Sequence, residues 1–485
     1  MNSESWIGRT AQQIAEAVRR GEAAPRRVVQ QHLDRIERLN SQLGAFRKVR
    51  HEEALAEADA LAARPDLGEL PLAGVPVAIK DNVAVAGEQT RNGSSASSEA
   101  TNESDHPVVA RLRAAGAIVV GLANVPELCL MPMSDSVYGI ARNPWNRQTT
   151  AGGSSGGSAT AVSAALVPIA HGNDGLGSIR IPASLCGLVG IKPGAGVVPP
   201  LLNEDGSVPW YGLSENGPLA TTVRDAALAL SVMADDPKLA ELDEADSNGA
   251  ASNGAASNGA DSKGAGSMGA GSKTVRVGVS VRPTQLGLPI DQRCEAAVIE
   301  TGDLLATFGH TVSRHTTRYP MWLGPAALRT WYSCAHEDAR KLDHSKLDRS
   351  TRQMAAIGGV LNAAHFGGGG ARERWRSGAA DAFFGDVDVL VLPAVAVPPP
   401  FARRYGERAA VRNTITSVRV GQLLGPWNIA GWPAMSVPAG VHDPGGWPLG
   451  VQLVARPGGE QRLLALAAQL ETARPWPRHA PEYAV

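Results

Sequence analysis

Apolar positions in the first sixty residues recur at helical spacing. Thr10 and Gln13 form a capping-box pattern at the start of one helix, and Pro25 suits the first turn of a second. Residues 52–62 predict a third helix. The apolar positions that follow the first two start signals are Ile14, Val18, Val29, Leu33 and Ile36. We therefore predict amphipathic helices that pack on a larger body.

From Pro71 onward, short apolar runs alternate with helical patterns. Such runs predict buried strands, and they cover residues 74–80, 117–122, 167–170, 275–280, 387–397, 431–438 and 450–454. The helical patterns cover residues 108–115, 159–166 and 460–471. This alternation favours an α/β fold with a substantially buried sheet.

Glycine-rich segments interrupt this pattern. Glycine accounts for 54 and proline for 33 of the 485 residues, which is above the usual share. Residues 246–270 are five copies of a five-residue unit without aromatic or branched apolar side chains, so they cannot build a core. We predict a low-complexity, flexible insertion over 243–273, with a repetitive binding segment as the alternative, and a mobile loop at the tetraglycine 367–370.

Charge and cysteine content narrow the class of protein. Lys and Arg number 46 against 47 Asp and Glu, so we expect neither nucleic acid nor a membrane as a partner. The four cysteines form no CxxC pair and predict buried free thiols. The first residues lack a signal-peptide core, and no apolar run has the ~18 residues that a spanning helix needs. The expected compartment is a reducing cytoplasm.

Three segments carry residues suited to chemistry. Lys80 ends an apolar run, and a buried lysine becomes a base near neutral pH, although a strand-end lysine can also reach solvent. Residues 152–158 place two serines between glycine pairs, which suits unusual backbone angles or a flexible loop. Residues 172–182 place three glycines before Ser178, where backbone N–H groups could surround an oxyanion or form a plain turn.

Together these segments match one family. The chain resembles the amidase signature family of serine hydrolases from about residue 8 to the C-terminal helix, apart from the repeat. The matching blocks are GVPVAIKDN (74–82), GLANVPEL (121–128), RNPWN (142–146), GGSSGGS (152–158), GSIRIPASLCGLVGIKP (177–193) and ENGPLATTVRD (215–225). The resemblance implies the amidase signature fold, in which one central mixed, mostly parallel, twisted β-sheet is covered by helices on both faces.

The resemblance also implies a single amidase domain over residues 1–485. Within it we expect four parts, which are the N-terminal helices (1–65), the catalytic signature core (66–240), the low-complexity insertion (243–273) and the remaining α/β core with substrate-side elements (274–485). Because homodimers are the commonest oligomers of soluble proteins, a homodimer is the expected assembly.

The resemblance implies a Ser-Ser-Lys triad. Ser178 would be the nucleophile that forms an acyl-enzyme, Ser154 the bridging serine after a cis peptide bond, and Lys80 the neutral base. The implied oxyanion hole consists of the backbone N–H groups of Gly175, Leu176, Gly177 and Ser178. Three residues are implied to support the site, the last through a structural ion pair, and they are Ser155, Asp174 and Arg180. No metal and no organic cofactor is implied, and the histidines show no HExxH spacing.

The chain departs from the commonest family pattern at three positions. Asn173 stands where threonine is usual, Leu176 where glycine is usual, and Ala151 where proline is common. The backbone donors survive a leucine if the turn suits a residue with a Cβ, and its side chain could narrow the acyl pocket or make it more apolar. The Asn-Asp variant is similar to the bacterial branch that contains cyclic-amide and nylon-oligomer hydrolases.

The resemblance therefore implies an amidase that hydrolyses the C–N bond of a carboxamide and, by the same route, esters. The expected partner is a small-molecule amide, linear or cyclic. The alternatives are a glutamine-dependent amidotransferase subunit acting on aminoacyl-tRNA and a non-catalytic amidase-fold protein. The side chains expected to line the acyl pocket, with ordinary core packing as the competing interpretation, are Met131, Met133, Tyr138, Trp331 and Trp427.

Overall fold

A computed structural model describes residues 5–202, 206–242, 274–283, 288–316, 318–364, 370–441 and 446–485. The predicted insertion 243–273 and residues 367–369 of the predicted tetraglycine loop lie outside these ranges. Gly370 is described, and it begins a short helix rather than belonging to a loop.

The three N-terminal helices form where the apolar spacing predicts them. They are α1 (Ala11–Arg19), α2 (Pro25–Leu43) and α3 (His51–Ala62). The Gln13 N–H donates to the Thr10 hydroxyl at 3.0 Å, and the Thr10 N–H donates to the Gln13 side chain at 3.0 Å, which completes the capping box. Ile14, Leu33 and Ile36 are fully buried, so the apolar faces pack on the body as expected.

One sheet of eleven strands runs through the described part of the chain, and two small hairpin-like sheets flank it. The strands are β1 (Phe46–Val49), β2 (Pro76–Lys80), β3 (Ile118–Ala123), β4 (Asp135–Ser136), β5 (Gly139–Ile140), β6 (Arg142–Asn143), β7 (Asn146–Thr150), β8 (Ile169–Asp174), β9 (Val189–Lys192), β10 (Glu215–Ala220), β11 (Arg276–Val279), β12 (Thr311–Arg314), β13 (Val389–Pro393), β14 (Ala434–Val441) and β15 (Pro448–Ala455). The order in the large sheet is β1-β3-β2-β8-β10-β9-β14-β15-β13-β11-β12.

The large sheet is mixed, as predicted. Its parallel pairs lie towards its two ends, where β2 pairs with β3 and β8, and β11 pairs with β12 and β13. Between β8 and β13 all neighbouring strands are antiparallel, as is the edge pair of β1 with β3. The parallel pairing that we predicted for most of the sheet is therefore found near its two ends. In the centre, strands such as β14 and β15 follow each other in the chain and pair without a crossover helix.

Helices cover both faces of the sheet, as the resemblance implies. The helices after α3 are α4 (Pro107–Ala114), α5 (Gly156–Ser163), α6 (Arg180–Cys186), α7 (Val223–Ala234), α8 (Gln292–Thr307), α9 (Leu323–Ala339), α10 (Arg349–Ala363), α11 (Gly370–Arg374), α12 (Ala380–Phe384), α13 (Ala410–Gly421), α14 (Gly425–Ala430) and α15 (Glu460–Ala473). One apolar core cluster joins Ile14, Val77, Val451 and Leu463 from distant parts of the chain. The predicted domain boundaries stay a prediction. None of the described helices combines the length and apolar character that a bilayer span requires.

Candidate active site

Two parallel strands bring the predicted base to the serine turns. In β2 and β8, Val77 lies opposite Ile169, so the carboxyl ends of both strands meet at one edge of the sheet. Lys80 is the last residue of β2, and Asp174 is the last residue of β8, just before the turn that leads to Ser178. The sequence patterns of two separate segments therefore converge on one place.

Lys80 is fully buried and bonded to the serine loop. Its Nζ lies 2.7 Å from Ser154 Oγ, 2.6 Å from Asn173 Oδ1 and 3.2 Å from Asn173 O. Burial lowers the pKa of Lys80 because the ammonium group loses its hydration, while Cys129 and Asp174 act in the opposite direction. This lysine is therefore neutral at a lower pH than an exposed lysine, and its free amine can accept a proton from Ser154.

The loop that carries Ser154 is tightly packed. The Gly153–Ser154 peptide bond is cis, as the resemblance implied. A Cβ at Gly153 would lie 2.8 Å from Met131 O and 2.9 Å from Met133 N, so a larger residue would require the backbone to shift. Glycine at this position therefore allows the loop to approach the chain segment that forms one side of the site.

Ser155 joins the two serine turns. Its N–H donates to Ser178 O at 3.1 Å, and its hydroxyl donates to Asn173 O at 3.2 Å. Both the loop that carries Ser154 and the turn that carries Ser178 are thus held by one buried residue. Ser155 contacts backbone in both cases, which is consistent with a supporting rather than a reacting position.

The turn between β8 and α6 presents backbone donors. The N–H groups of Gly175, Leu176 and Ser178 have no acceptor among the described residues. The Gly177 N–H instead donates to Asp174 Oδ1 at 2.6 Å. An aspartate close before a turn readily captures such an N–H. In the free protein the Gly177 N–H is therefore already bonded, and the other three of the four predicted groups have no acceptor.

A buried ion pair fixes this turn from behind. Arg180 donates to the Asp174 carboxylate at 2.9 Å and 3.0 Å, and both side chains are fully buried. The remaining guanidinium donors reach Asn428 Oδ1, Leu424 O and Gln452 Oε1. Burial alone would raise the pKa of Asp174, but the Arg180 guanidinium and the Asn428 amide hold it well below its usual range.

Replacing Arg180 with leucine is expected to lower the free energy of unfolding by about 3–5 kcal/mol, because the buried Asp174 carboxylate would lose its cation. Since the pKa of Asp174 is depressed in the folded protein, the stability it contributes is lost as the pH falls. Urea unfolding at neutral pH measures the effect. Arg276→Leu, which breaks an exposed pair with Asp388, is the control and should change little. Equal effects of the two substitutions would contradict this account.

Ser178 lines a cavity with a volume of about 130 Å³. The cavity lies between the serine turns and three elements from the second half of the chain, α9, α13 and α14. Its apolar and aromatic lining residues are Leu130, Met131, Pro132, Leu176, Ile181, Trp210, Tyr319, Leu323, Ala327, Leu328, Trp331, Val418 and Pro426. No acidic, basic or histidine side chain is among the described lining residues. The cavity therefore suits an uncharged, apolar group.

Two of the five predicted pocket residues lie in the cavity wall, Met131 and Trp331. Met133 is fully buried behind the serine loop. Trp427 is also fully buried and packs against Phe384 and Trp432, although its neighbours in α14 reach the cavity. Of the five, Met133, Tyr138 and Trp427 do not line this cavity, because side-chain direction depends on the fold.

Tyr138 lies outside the cavity in a polar setting. Its hydroxyl accepts from Arg91 Nε at 2.8 Å and donates to Ser94 O at 3.3 Å, and the Arg47 guanidinium lies over its ring. The residue is 39% exposed. A tyrosine held by two arginines at the surface contributes to packing and not to the acyl pocket.

Several residues at the site carried no prediction of a role. Asn173 binds Lys80 directly, and only its place in the turn motif could have pointed to it. Cys129 was predicted as a buried thiol like the other three cysteines, but it is half-buried, lines the cavity and donates to Asn92 Oδ1 at 3.3 Å. Trp210 and Asn428 come from distant segments without a local signal. The described residues contain no group of three or more metal-ligating side chains.

Comparison with known proteins identifies the class that this site defines. The Amidase family model matches residues 27–464, so the chain belongs to the amidase family. It is accordingly an amidohydrolase. The continuous match covers both the serine turns and the helices that close the cavity.

Individual relatives agree with this membership. A protein of Mycobacterium tuberculosis (strain ATCC 25618 / H37Rv) with the provisional name amidase AmiB2 is 41% identical over 93% of both chains. The 6-aminohexanoate-cyclic-dimer hydrolase of Paenarthrobacter ureafaciens is 31% identical over 98% of this chain and 97% of its own. A solved structure of 6-aminohexanoate cyclic dimer hydrolase complexed with substrate superposes with a TM-score of 0.80 at 27% identity, covering 98% of this chain and 99% of that one.

Proposed function

We propose that this protein hydrolyses carboxamides with an uncharged, apolar acyl part through an acyl-enzyme on Ser178. Lys80 is the base, and Ser154 relays the proton between Lys80 and Ser178. The observation that carries the proposal is the 2.7 Å hydrogen bond between Lys80 Nζ and Ser154 Oγ, beside a cavity that Ser178 lines. The likeness to a cyclic-amide hydrolase supports the amide as the substrate class.

The reaction begins with a proton transfer. Neutral Lys80 accepts the Ser154 proton while Ser154 accepts the Ser178 proton, and Ser178 Oγ attacks the carbonyl carbon. The negative oxygen of the tetrahedral intermediate is stabilised by the free N–H groups of the turn. The protonated relay returns its proton to the leaving amine as the C–N bond breaks. Water then attacks the ester on Ser178 by the same route and releases the acid.

The cavity chemistry separates the amidase proposal from the amidotransferase alternative. Free glutamine carries an α-ammonium and an α-carboxylate, and both groups need charged or strongly polar partners when they leave water. The described lining provides no charged side chain, and its polar groups are the hydroxyls and amide of residues such as Ser417 and Gln422. A neutral acyl group, in contrast, gains from burial against the apolar wall.

The experiment that tests the proposal combines labelling with a substrate panel. A fluorophosphonate should modify Ser178 alone, which peptide mapping by mass spectrometry identifies. The panel pairs neutral aliphatic and aromatic amides, their esters and 6-aminohexanoate cyclic dimer with glutamine. We expect turnover of neutral amides and none of glutamine. Modification of another serine, or turnover of glutamine in preference to every neutral amide, would overturn the proposal.

A further inference from the structure

Trp210 lies directly against the turn that precedes Ser178. A Cβ added to Gly175 would lie 2.9 Å from Cε3 and 3.1 Å from Cζ3 of the Trp210 indole. The same indole lines the cavity together with Leu176 and Ser178. The ring is therefore in contact both with the backbone that offers the free N–H groups and with the space that an acyl group would fill.

The backbone at Trp210 is held in an unusual conformation. Trp210 has φ +57° and Tyr211 has φ +51°, so two consecutive residues with side chains adopt left-handed angles. Such angles are unfavourable for residues with a Cβ and persist where the surroundings require them. This conformation aims the indole at the turn.

Asp338 fixes the indole from the opposite side. Trp210 Nε1 donates to Asp338 Oδ2 at 2.8 Å. Asp338 lies near the end of α9 and seven residues after Trp331, so both side chains share the face of α9 that closes the cavity. Burial, the Trp210 hydrogen bond and the negative charge of Glu337 are the influences on the Asp338 carboxyl, and no described lysine or arginine is among them. The indole N–H of Trp210 is therefore the hydrogen-bond donor that holds the Asp338 carboxyl group.

A second indole makes the reciprocal connection. Trp331 in α9 donates from Nε1 to Leu130 O at 2.9 Å, on the side of the cavity formed by the signature segments. The Trp210 N–H is thus bound by Asp338 of α9, and the Trp331 N–H of α9 is bound by Leu130 on the opposite side of the cavity. Two flat, fixed aromatic surfaces favour a flat acyl group over a compact one, because ring faces and edges pack best against rings.

We propose that Trp210 is a specificity-determining residue for flat, aromatic acyl groups, and that Asp338 is the positioning residue that fixes its indole against the oxyanion turn. This inference rests on the proposed acyl-enzyme at Ser178. The hydrogen bond orients the ring, and the ring both bounds the acyl site and supports the backbone at Gly175. Loss of the bond should therefore alter acyl preference as well as rate.

Paired amides with the same amine, one benzoyl and one acetyl, test the inference through the ratio of their kcat/KM values. Asp338→Leu removes the acceptor at similar volume, and Trp210→Phe removes the donor but keeps a ring. We expect each to lower the benzoyl-to-acetyl ratio about tenfold, mainly through kcat. The double variant should fall no further than the single ones, because both act through one bond. Asp338→Asn keeps an acceptor oxygen and should retain the ratio within about twofold.

Trp476→Phe is the matched control, because Trp476 Nε1 donates to Thr221 O at 3.0 Å without lining the cavity. It should leave the ratio unchanged. Additive effects in the double variant, or a wild-type ratio in Trp210→Phe, would overturn the inference even if Asp338→Leu fails to fold. If the wild-type protein hydrolyses neither amide and is not labelled by a fluorophosphonate, the result would instead contradict the proposed acyl-enzyme function on which this inference rests.

Discussion

Alanine in place of Ser178 is expected to lower kcat for neutral amides by at least about 10⁴-fold and to abolish labelling by a fluorophosphonate. The substitution removes the only atom proposed to bond to the substrate carbon. The free N–H groups of the turn and the apolar cavity remain, so the variant should still bind substrate with a similar affinity. Steady-state kinetics and direct binding measurements on the same amide separate these two effects.

The Ser178 variant should fold normally, since no described residue is hydrogen-bonded to the Ser178 hydroxyl in the free protein. The hydrogen bond to Ser154 that the proposed relay needs would form when substrate binds. Ser163→Ala is a matched control. Ser163 is buried in α5 and donates to Cys186 O at 2.9 Å, away from the cavity. It should cost about 1 kcal/mol of stability and leave kcat unchanged. Full activity in Ser178→Ala would end the assignment of the nucleophile.

Methionine in place of Lys80 is expected to lower kcat by about 10³-fold, because it removes the amine that is hydrogen-bonded to Ser154 and is proposed to accept its proton. In the wild type, kcat/KM should rise with pH as Lys80 loses its proton. Because burial lowers the pKa of Lys80, this rise should occur below the ordinary range of a lysine. The variant should lose the rise. A pH–rate profile of both proteins from pH 5 to 10 measures it, and a flat wild-type profile would contradict the role.

Stability gives an independent readout for Lys80. Its pKa is lower in the folded than in the unfolded protein, so the folded state binds fewer protons between the two values. Wild-type stability should therefore increase with pH through that window, and Lys80→Met should lack this increase. Lys238→Met, at an exposed lysine, is the control for loss of a positive charge and should leave both profiles unchanged.

Local patterns predicted much of the framework. The capping box of α1, the proline start of α2 and the apolar run of β2 depend on neighbours in sequence, and each forms where predicted. The strand predicted over 167–170 also forms, but β8 begins at Ile169 and continues to Asp174. β10 was not predicted, because Gly217 and Pro218 are both unfavourable within a strand. It forms since β8 and β9 pair with it on both sides.

The residues proposed to react could be found from the sequence because they belong to contiguous motifs. Lys80, Ser154 and Ser178 each occur in a short block of glycines, serines and apolar residues whose spacing is a property of the chain itself. Even there, the structure altered a detail. Gly177 belongs to the right turn, but its N–H is bound by Asp174, and a motif does not reveal which donors stay free.

The sequence by itself determined the family, the α/β class and the three groups proposed to react, because these depend on local spacing and on turns that few residue types can form. Only the tertiary structure determined which residues form the acyl cavity. Its walls come from segments up to about 300 residues apart, from Cys129 to Pro426, and a side chain such as Trp427 or Tyr138 turns towards or away from the cavity according to how helices pack. Trp210, Asp338 and Asn428 meet the serine turn through such packing, which no spacing along the chain encodes.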